Sequence, residues 1–480
     1  MNWLWVAEAM SRAGQSDAHF LNGGVSFWYS DIGGPPAKRA ALDGNCDVDI
    51  CIVGGGFTGL WAAYYLKQQA SKLSVAIIEK EFAGFGASGR NGGNLTGLFT
   101  WSRQNYLKHC SAERLLAMEI AVRNSVNEVI DTAKAESIDA DVVHAGNLAV
   151  ATTAAQLGRI RDRHKDFIER RGYRPEEVQL LSREEILDRV RIEGALGGIF
   201  NSNSARVQPA KLARGLAAVV EAMGVSIYEG TTVLEMDRGR VRTTHGTVRA
   251  GIVVRATEGF TPHLPGYSRE IAAINSAIIV TEPLSDEMWQ KIGWAGHETV
   301  SENSYAYNYC QRTREGRITI GGRGVPYRFR SRTDVMGQAD GATVDVLRRD
   351  FMRLFPQAKD VRFEQVWCGV LGWPRDWCPT VGFDRSGGYA WAGGYAGSGV
   401  AISNLAGRTL RDLILDQGTE LTALPWVGHK SPNWEPEPLR WLGIHAGYHL
   451  YGLADYMEKM NGRKTSKISY IANRLTGRNI

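Results

Sequence analysis

The residues whose chemistry is easiest to name lie around position 50. Val48-Asp49-Ile50-Cys51-Ile52-Val53 has the β-branched character of a buried strand. Gly54-Gly55-Gly56-Phe57-Thr58-Gly59 follows, with glycines at the three places of G-x-G-x-x-G. Gly54 permits the tight turn, Gly56 lets backbone approach a pyrophosphate, and Gly59 lets the next helix pack on the strand. Phe57 and Thr58 open that helix, whose N-terminal N–H groups attract phosphate. Glu79, with Lys80 beside it, ends the second strand about twenty residues on, where an acid accepts hydrogen bonds from a ribose diol. Strand, turn, helix and acid in this order predict a dinucleotide site.

Two further glycine-bearing stretches extend the site. Gly84-Phe85-Gly86-Ala87-Ser88-Gly89-Arg90-Asn91-Gly92-Gly93-Asn94 lies just after Glu79. Its small residues, with Ser88, Arg90 and Asn91, suit a pyrophosphate and a ribityl chain, which a nicotinamide dehydrogenase does not need. Gly393-Gly394-Tyr395-Ala396-Gly397-Ser398-Gly399-Val400 leads into a helix reaching about Ile414. A helix N-terminus aimed at a reduced flavin stabilises its anionic pyrimidine edge.

The elements that must position these residues read as α/β, α+β overall: a Rossmann-like cofactor domain with an antiparallel-sheet substrate domain inserted in pieces. The expected cofactor domain takes residues 46–105, 200–260 and 366–420, and the substrate domain 106–199 and 261–365. Residues 1–45 read as an irregular arm, broken by Gly33-Gly34-Pro35-Pro36. Helical periodicity marks 106–140, 155–171, 183–189, 209–223 and 334–355. From 271 to 323 the pattern is strands rich in Ile, Val and Tyr without intervening helices. Residues 421–480 form a basic, helical tail. From Leu439 onward it holds seven Lys/Arg against two acids, which accounts for the whole formal net charge of +5. The balanced remainder argues against a nucleic-acid partner. Leu439, Leu442, Leu450, Leu453 and Met457 make an apolar stripe, expected to dock on the protein's own body rather than on a membrane. Six scattered cysteines, without C-x-x-C pairs, predict neither a metal site nor a disulfide framework. Without a basic leader or an apolar span, a cytoplasmic location is expected.

Together the three glycine stretches resemble the flavin amine and amino-acid oxidoreductases of the D-amino-acid oxidase superfamily. Within it, Gly86–Gly93 and Trp367-Cys368-Gly369 leading to Pro379-Thr380-Val381-Gly382 resemble the branch of gamma-glutamylputrescine oxidoreductase and the aminophosphonate oxidoreductases. The resemblance implies non-covalent FAD, with ribose on Glu79, adenine by the backbone of Val233, Thr257 along the wall and the ring system under Gly394–Val400. It also implies oxidation of a small-molecule amine at a C–N bond, with O2 or another acceptor taking the electrons. Leu371 stands where glycine oxidase relatives carry a carboxylate-binding arginine, which disfavours a plain α-amino acid. Cys368 lies one residue out of register from the flavin-bearing cysteine of sarcosine oxidase, and Thr319 where sarcosine oxidase has its oxygen-activating lysine. The substrate-site candidates are Tyr307 and Tyr309, expected with Tyr305 to alternate on one strand face, Arg323 for an anionic tail, and Trp373 and Asn94 beside the ring. His144 reads as an ordinary satisfied histidine.

Overall fold

The computed structural model describes residues 20–99, 102–322, 327–461 and 465–478. Its centre is strand β1 (Cys46–Val53), helix α1 (Phe57–Gln69) and strand β2 (Val75–Ile78). β1 pairs in parallel with β2, Val53 facing Ile78, and on its other side with β3 (Thr247–Arg255), Val53 facing Arg255. Neighbours on both edges and helices above explain why the C-terminal half of β1 is continuously apolar. Ser226–Tyr228 extends the sheet beyond β2, and Tyr389–Gly393 runs parallel to β3. The strand order Val233–Asp237, Arg240–Thr243, β3, β1, β2, Ser226–Tyr228 reverses direction of winding at β1, the switch point where α/β folds bind ligands.

A second, nine-stranded sheet is built around β4 (Ile271–Thr281) and β5 (Phe363–Pro374), antiparallel from Ile271–Pro374 to Thr281–Phe363. It is mixed rather than purely antiparallel, because Leu21–Asn22 joins β5 in parallel and Asn147–Ala151 joins Thr299–Glu302 in parallel. The architecture is thus the expected α/β, with a Rossmann-like sheet and a second sheet beside it.

Four sequence expectations are corrected. The strand containing Trp367-Cys368-Gly369 belongs to the second sheet, because residues 363–374 pair with β4, so the third cofactor segment cannot start at 366. A helix, Asp286–Ile292, interrupts the run of strands; Ser285 caps it by accepting from Met288 N–H, a signal carried by one residue among apolar neighbours. The arm is not irregular throughout: Phe27–Ser30 is a helical turn whose Phe27, Trp28 and Tyr29 are buried against Trp367 and Phe82. Tyr305 and Tyr307 are not on a strand with Tyr309, which begins Tyr309–Arg312; residues 303–308 turn, because Asp455 accepts the N–H groups of Tyr305 and Ala306.

Helix α2 (Gly399–Ile414) packs on α1, so closely that a Cβ on Gly407 would lie 2.7 Å from Trp61. Between them lies the main core, with Trp61, Leu66, Leu405 and Leu410. The tail folds as two helices, α3 (Leu439–Asn461) and α4 (Lys467–Thr476).

Candidate cofactor and active site

One elongated cleft of about 490 Å³ runs from Glu79–Glu81 and Thr231–Val233 at one end to Leu371, Gly397 and Val400 at the other. All three glycine segments reach it. The first turn is shaped by Gly54, whose φ of +111° and whose 2.5 Å spacing from Ala256 O to a built Cβ exclude any other residue. Glu79 holds the turn from the next strand: Oε2 accepts from Gly55 N–H at 2.8 Å, and Oε1 from Glu81 N–H at 2.9 Å. Burial raises its pKa, partly offset by those two donors.

Gly54, Gly56, Phe57, Thr58, Glu79, Lys80, Gly86, Ala87, Ser88, Asn91, Val233, Thr257, Gly397, Gly399 and Val400 line the cleft. Ser88 Oγ accepts from Phe57 N–H at 2.8 Å, so the second segment supplies the missing cap of α1. Thr58 and Tyr395 hydroxyls meet at 2.8 Å and tie the start of α1 to the loop before α2. Asn91 braces its own loop, donating to the carbonyls of Ala87 and Ser88 and accepting from Gly93 N–H.

Other expected residues are placed off the cleft wall. Gly59 packs on the turn, with Gly54 O 2.1 Å from a built Cβ. Arg90 was expected beside the pyrophosphate but is buried among carbonyls, donating to Phe85 O at 2.7 Å and Val335 O at 2.8 Å and lying 4.2 Å over the Phe85 ring. A buried guanidinium needs such acceptors, and here they join the second segment to residues 334 and 335. Gly92 and Gly93 are small for packing: a Cβ would meet the Tyr309 ring at 2.2 Å and Val207 O at 2.3 Å. Asn94 starts a short strand and its Oδ1 is buried without a partner. Gly394 donates to Glu258, and Ser398 precedes α2.

Of the substrate candidates, Tyr307 stands near Gly397, its hydroxyl 3.8 Å from a built Cβ there, and Tyr309 covers Gly92 and Gly321. Tyr305 is turned to the tail, stacked on Tyr451 at 5.9 Å. Trp373, expected beside the ring, instead packs on Trp377 at 4.2 Å and receives Trp434 Nε1–H at its carbonyl, because residues of the tail fold over this end of β5. Arg323 lies outside the described residues. Leu371 and Val370 do reach the cleft wall.

The residue missed in the sequence is Glu258. It lies three residues past β3, at φ +41°, a left-handed conformation rare for glutamate, and it lines the cleft. Oε1 accepts from Gly394 and Tyr395 N–H at 3.1 and 3.0 Å, and Oε2 from Gly372 N–H at 2.6 Å. Desolvation pushes its pKa up to about 7 in spite of those donors. The signal was its position at a strand end beside Thr257, which marks a βα-type loop of an α/β site. His263, also on the wall, has its pKa lowered by burial and by Lys80.

Cys368 is buried in the second-sheet core, its Sγ 3.4 Å from Gln338 O and its pKa pushed up to about 11 by burial. Thr319 Oγ1 is buried without a partner. Asp376, Cys378 and His429 gather within 4.8 Å, a grouping hidden by 50 residues of intervening chain. Asp376 is already satisfied by His429, Ser431 and Cys378 N–H, and burial keeps the Cys378 thiol protonated.

A switch-point cleft with an acidic strand end, a capped helix start and a second helix start defines an oxidoreductase holding a dinucleotide cofactor along its length. A family model for FAD dependent oxidoreductases (DAO) matches residues 49–413, and the chain belongs to this family. It is 28% identical over 386 residues to "Probable oxidoreductase OrdL" of Haemophilus influenzae, covering 78% of this chain and 84% of that protein. It is 26% identical over 410 residues to gamma-glutamylputrescine oxidoreductase of Escherichia coli K12, covering 84% and 92%. The crystal structure of glycine oxidase from Geobacillus kaustophilus superposes with a TM-score of 0.66 at 22% identity, covering 78% of this chain and 96% of that one.

FAD is the cofactor that the family implies, and the residues fit it. The space beside Gly56 is kept open, since a Cβ there would lie 3.0 Å from Ser88 Oγ. The cleft is lined by residues at both helix starts, Gly56–Thr58 at one and Gly397, Gly399 and Val400 at the other, and by the acid Glu79.

Proposed function

We propose that this enzyme oxidises the C–N bond of a primary or secondary amine, with FAD held non-covalently. Bound FAD supplies the two-electron acceptor for a hydride leaving the carbon next to nitrogen. The rest is asked of the chain. Val370 and Leu371 give the α2 end of the cleft an apolar wall that favours an uncharged amine with its lone pair free. Glu258, with a pKa of about 7, stands on the same wall in a proton-accepting range. As the hydride leaves carbon, the nitrogen lone pair forms the C=N bond; the iminium gives up its N–H proton, and water hydrolyses the imine to an aldehyde or ketone and an amine or ammonia.

The observation that carries the amine reading is Leu371 on the cleft wall, in the place where a carboxylate-binding arginine is expected for α-amino acids. The relative named gamma-glutamylputrescine oxidoreductase supports it. The buried thiol of Cys368, in another core, supports non-covalent FAD. O2 is the acceptor of the primary reading. Thr319, in place of a lysine, favours a second one in which a quinone or protein takes the electrons. Anaerobic mixing with polyamines, gamma-glutamyl amines, aminophosphonates, N-methyl amines and amino acids tests both. Bleaching of the flavin by an amine is expected, and peroxide on readmitting air separates oxidase from dehydrogenase. Bleaching by α-amino acids alone contradicts the amine reading.

A further inference from the structure

Helices α3 and α4 form an antiparallel hairpin clamped to the body. Gly447 packs on Thr476, the Tyr451 hydroxyl meets Asn473 and Thr476, and Glu458 accepts from Ser466 N–H. Ile444, Tyr451, Ala454 and Ala472 are buried. The expected stripe is therefore only half right: Leu450 packs inward near Tyr305, while Leu439, Leu442 and Leu453 face outward.

The outward faces have an unusual composition. Tyr456, Met460, Tyr470 and Ile471 are 60, 69, 67 and 62% exposed, and Leu439, Leu442, Leu453 and Leu475 join them. On α3 these residues follow one another at spacings of three, eleven, three and four, which places them along one side of the helix. The charged residues among them are Lys459, Lys467 and Arg474, all exposed. Both acids of the hairpin turn the other way. Glu458 is buried on Arg159 at 2.7 Å, and Asp455 accepts the N–H groups of Tyr305 and Ala306. Among the described residues, the exposed side of the hairpin is apolar and cationic, with no acid. Leu439 and Leu475 also line a cavity of about 200 Å³ walled by Trp373, Trp377, Trp434 and Ile444.

We propose that the α3–α4 hairpin docks this enzyme on the surface of an anionic lipid bilayer. Exposed leucines and isoleucine enter the acyl boundary, tyrosines stay at the headgroups, and the lysines and arginine meet lipid phosphate. Helix α3, at 23 residues about 34 Å long, lies in the plane of the surface. No helix among the described residues is long and apolar enough to cross a membrane. A second copy is a poorer occupant, because a two-fold contact through this face brings like charges together with no acid to meet them. The cavity behind Leu439 and Leu475, walled mainly by aromatic and aliphatic side chains with Glu435 paired to Arg375 at 3.0 Å, gives an acyl chain end a place to enter. The inference does not rest on the identity of the amine.

The test is co-sedimentation of the full-length flavoprotein with vesicles of phosphatidylcholine, alone or mixed equally with phosphatidylglycerol. Binding about tenfold stronger to the anionic vesicles is expected, weakening as salt is raised. Tyr470→Ser with Ile471→Ser should abolish it. Lys467→Glu with Arg474→Glu should remove the preference for anionic lipid, while flavin absorbance and circular dichroism stay as in the wild type. Absence of binding to the anionic vesicles overturns the proposal. So does unchanged binding by both folded variants, or a dimer in light scattering that Tyr470→Ser with Ile471→Ser dissolves.

Discussion

Two acids at strand ends divide the work of the cleft, and each makes its own prediction. Glu79 spends one lone pair of each oxygen on a backbone N–H, which leaves acceptor capacity for the ribose diol of the proposed FAD. Glu79→Ala should weaken FAD binding about tenfold, read as flavin retained through gel filtration and as Kd on reconstitution. Retention equal to the wild type contradicts the ribose assignment. Burial raises the pKa of Glu258 from 4.5 to about 7. Between those values the folded chain binds a proton that the unfolded chain has lost, so stability falls as pH rises through that window. Glu258→Gln should flatten this part of the profile, measured as Tm from about pH 5 to about pH 8, and should remove an inflection near neutrality from the rate of flavin reduction. A profile unchanged in both measurements contradicts a titrating role for Glu258.

At the scale of elements, the glycine-rich second segment is shaped as much by packing as by ligand. Trp28 Nε1–H donates to Asn91 O, Trp367 Nε1–H to Arg90 O and Ser26 Oγ–H to Gly89 O, so the arm and β5 fix its path. Gly92→Ala should destabilise the protein by about 1–3 kcal/mol, because the methyl group meets the Tyr309 ring. Tyr309→Leu in the same chain should restore part of that loss in thermal melts; additive losses contradict the contact. This dual use limits what spacing reveals. β1, α1, β2 and the start of α2 were legible, since their glycines and apolar runs answer to local geometry. The direction of Arg90 was not, because its acceptors are carbonyls of residues 334, 335 and 368. Trp373 was misread for a related reason: its partners, Trp434 and Ile444, come from the tail, far along the chain. Glu258 was hidden because its partners, Gly372, Gly394 and Tyr395, lie more than a hundred residues away.

Across the whole molecule, the tail is an integral part of the body and not an appendage. Arg159 is clasped by Glu458, stacks 4.3 Å over Tyr305 and is mostly buried, while Arg478 donates to Tyr305 O. Glu458→Ala leaves that guanidinium without its charge partner and should cost about 3–5 kcal/mol, read as a lowered Tm. A Tm equal to the wild type contradicts the clasp. The hairpin covers Trp373 and Trp377, and Leu371 packs against the same cluster while reaching the cleft wall, so tail and cleft share one strand. That shared frame serves the central claim that three separated glycine segments grip a single FAD from adenine to ring. The most direct measurement is to denature the purified protein and identify what it releases by absorbance and mass. The account predicts one FAD per chain, freed without proteolysis. Protein that releases no flavin, and that takes up none on reconstitution, contradicts it.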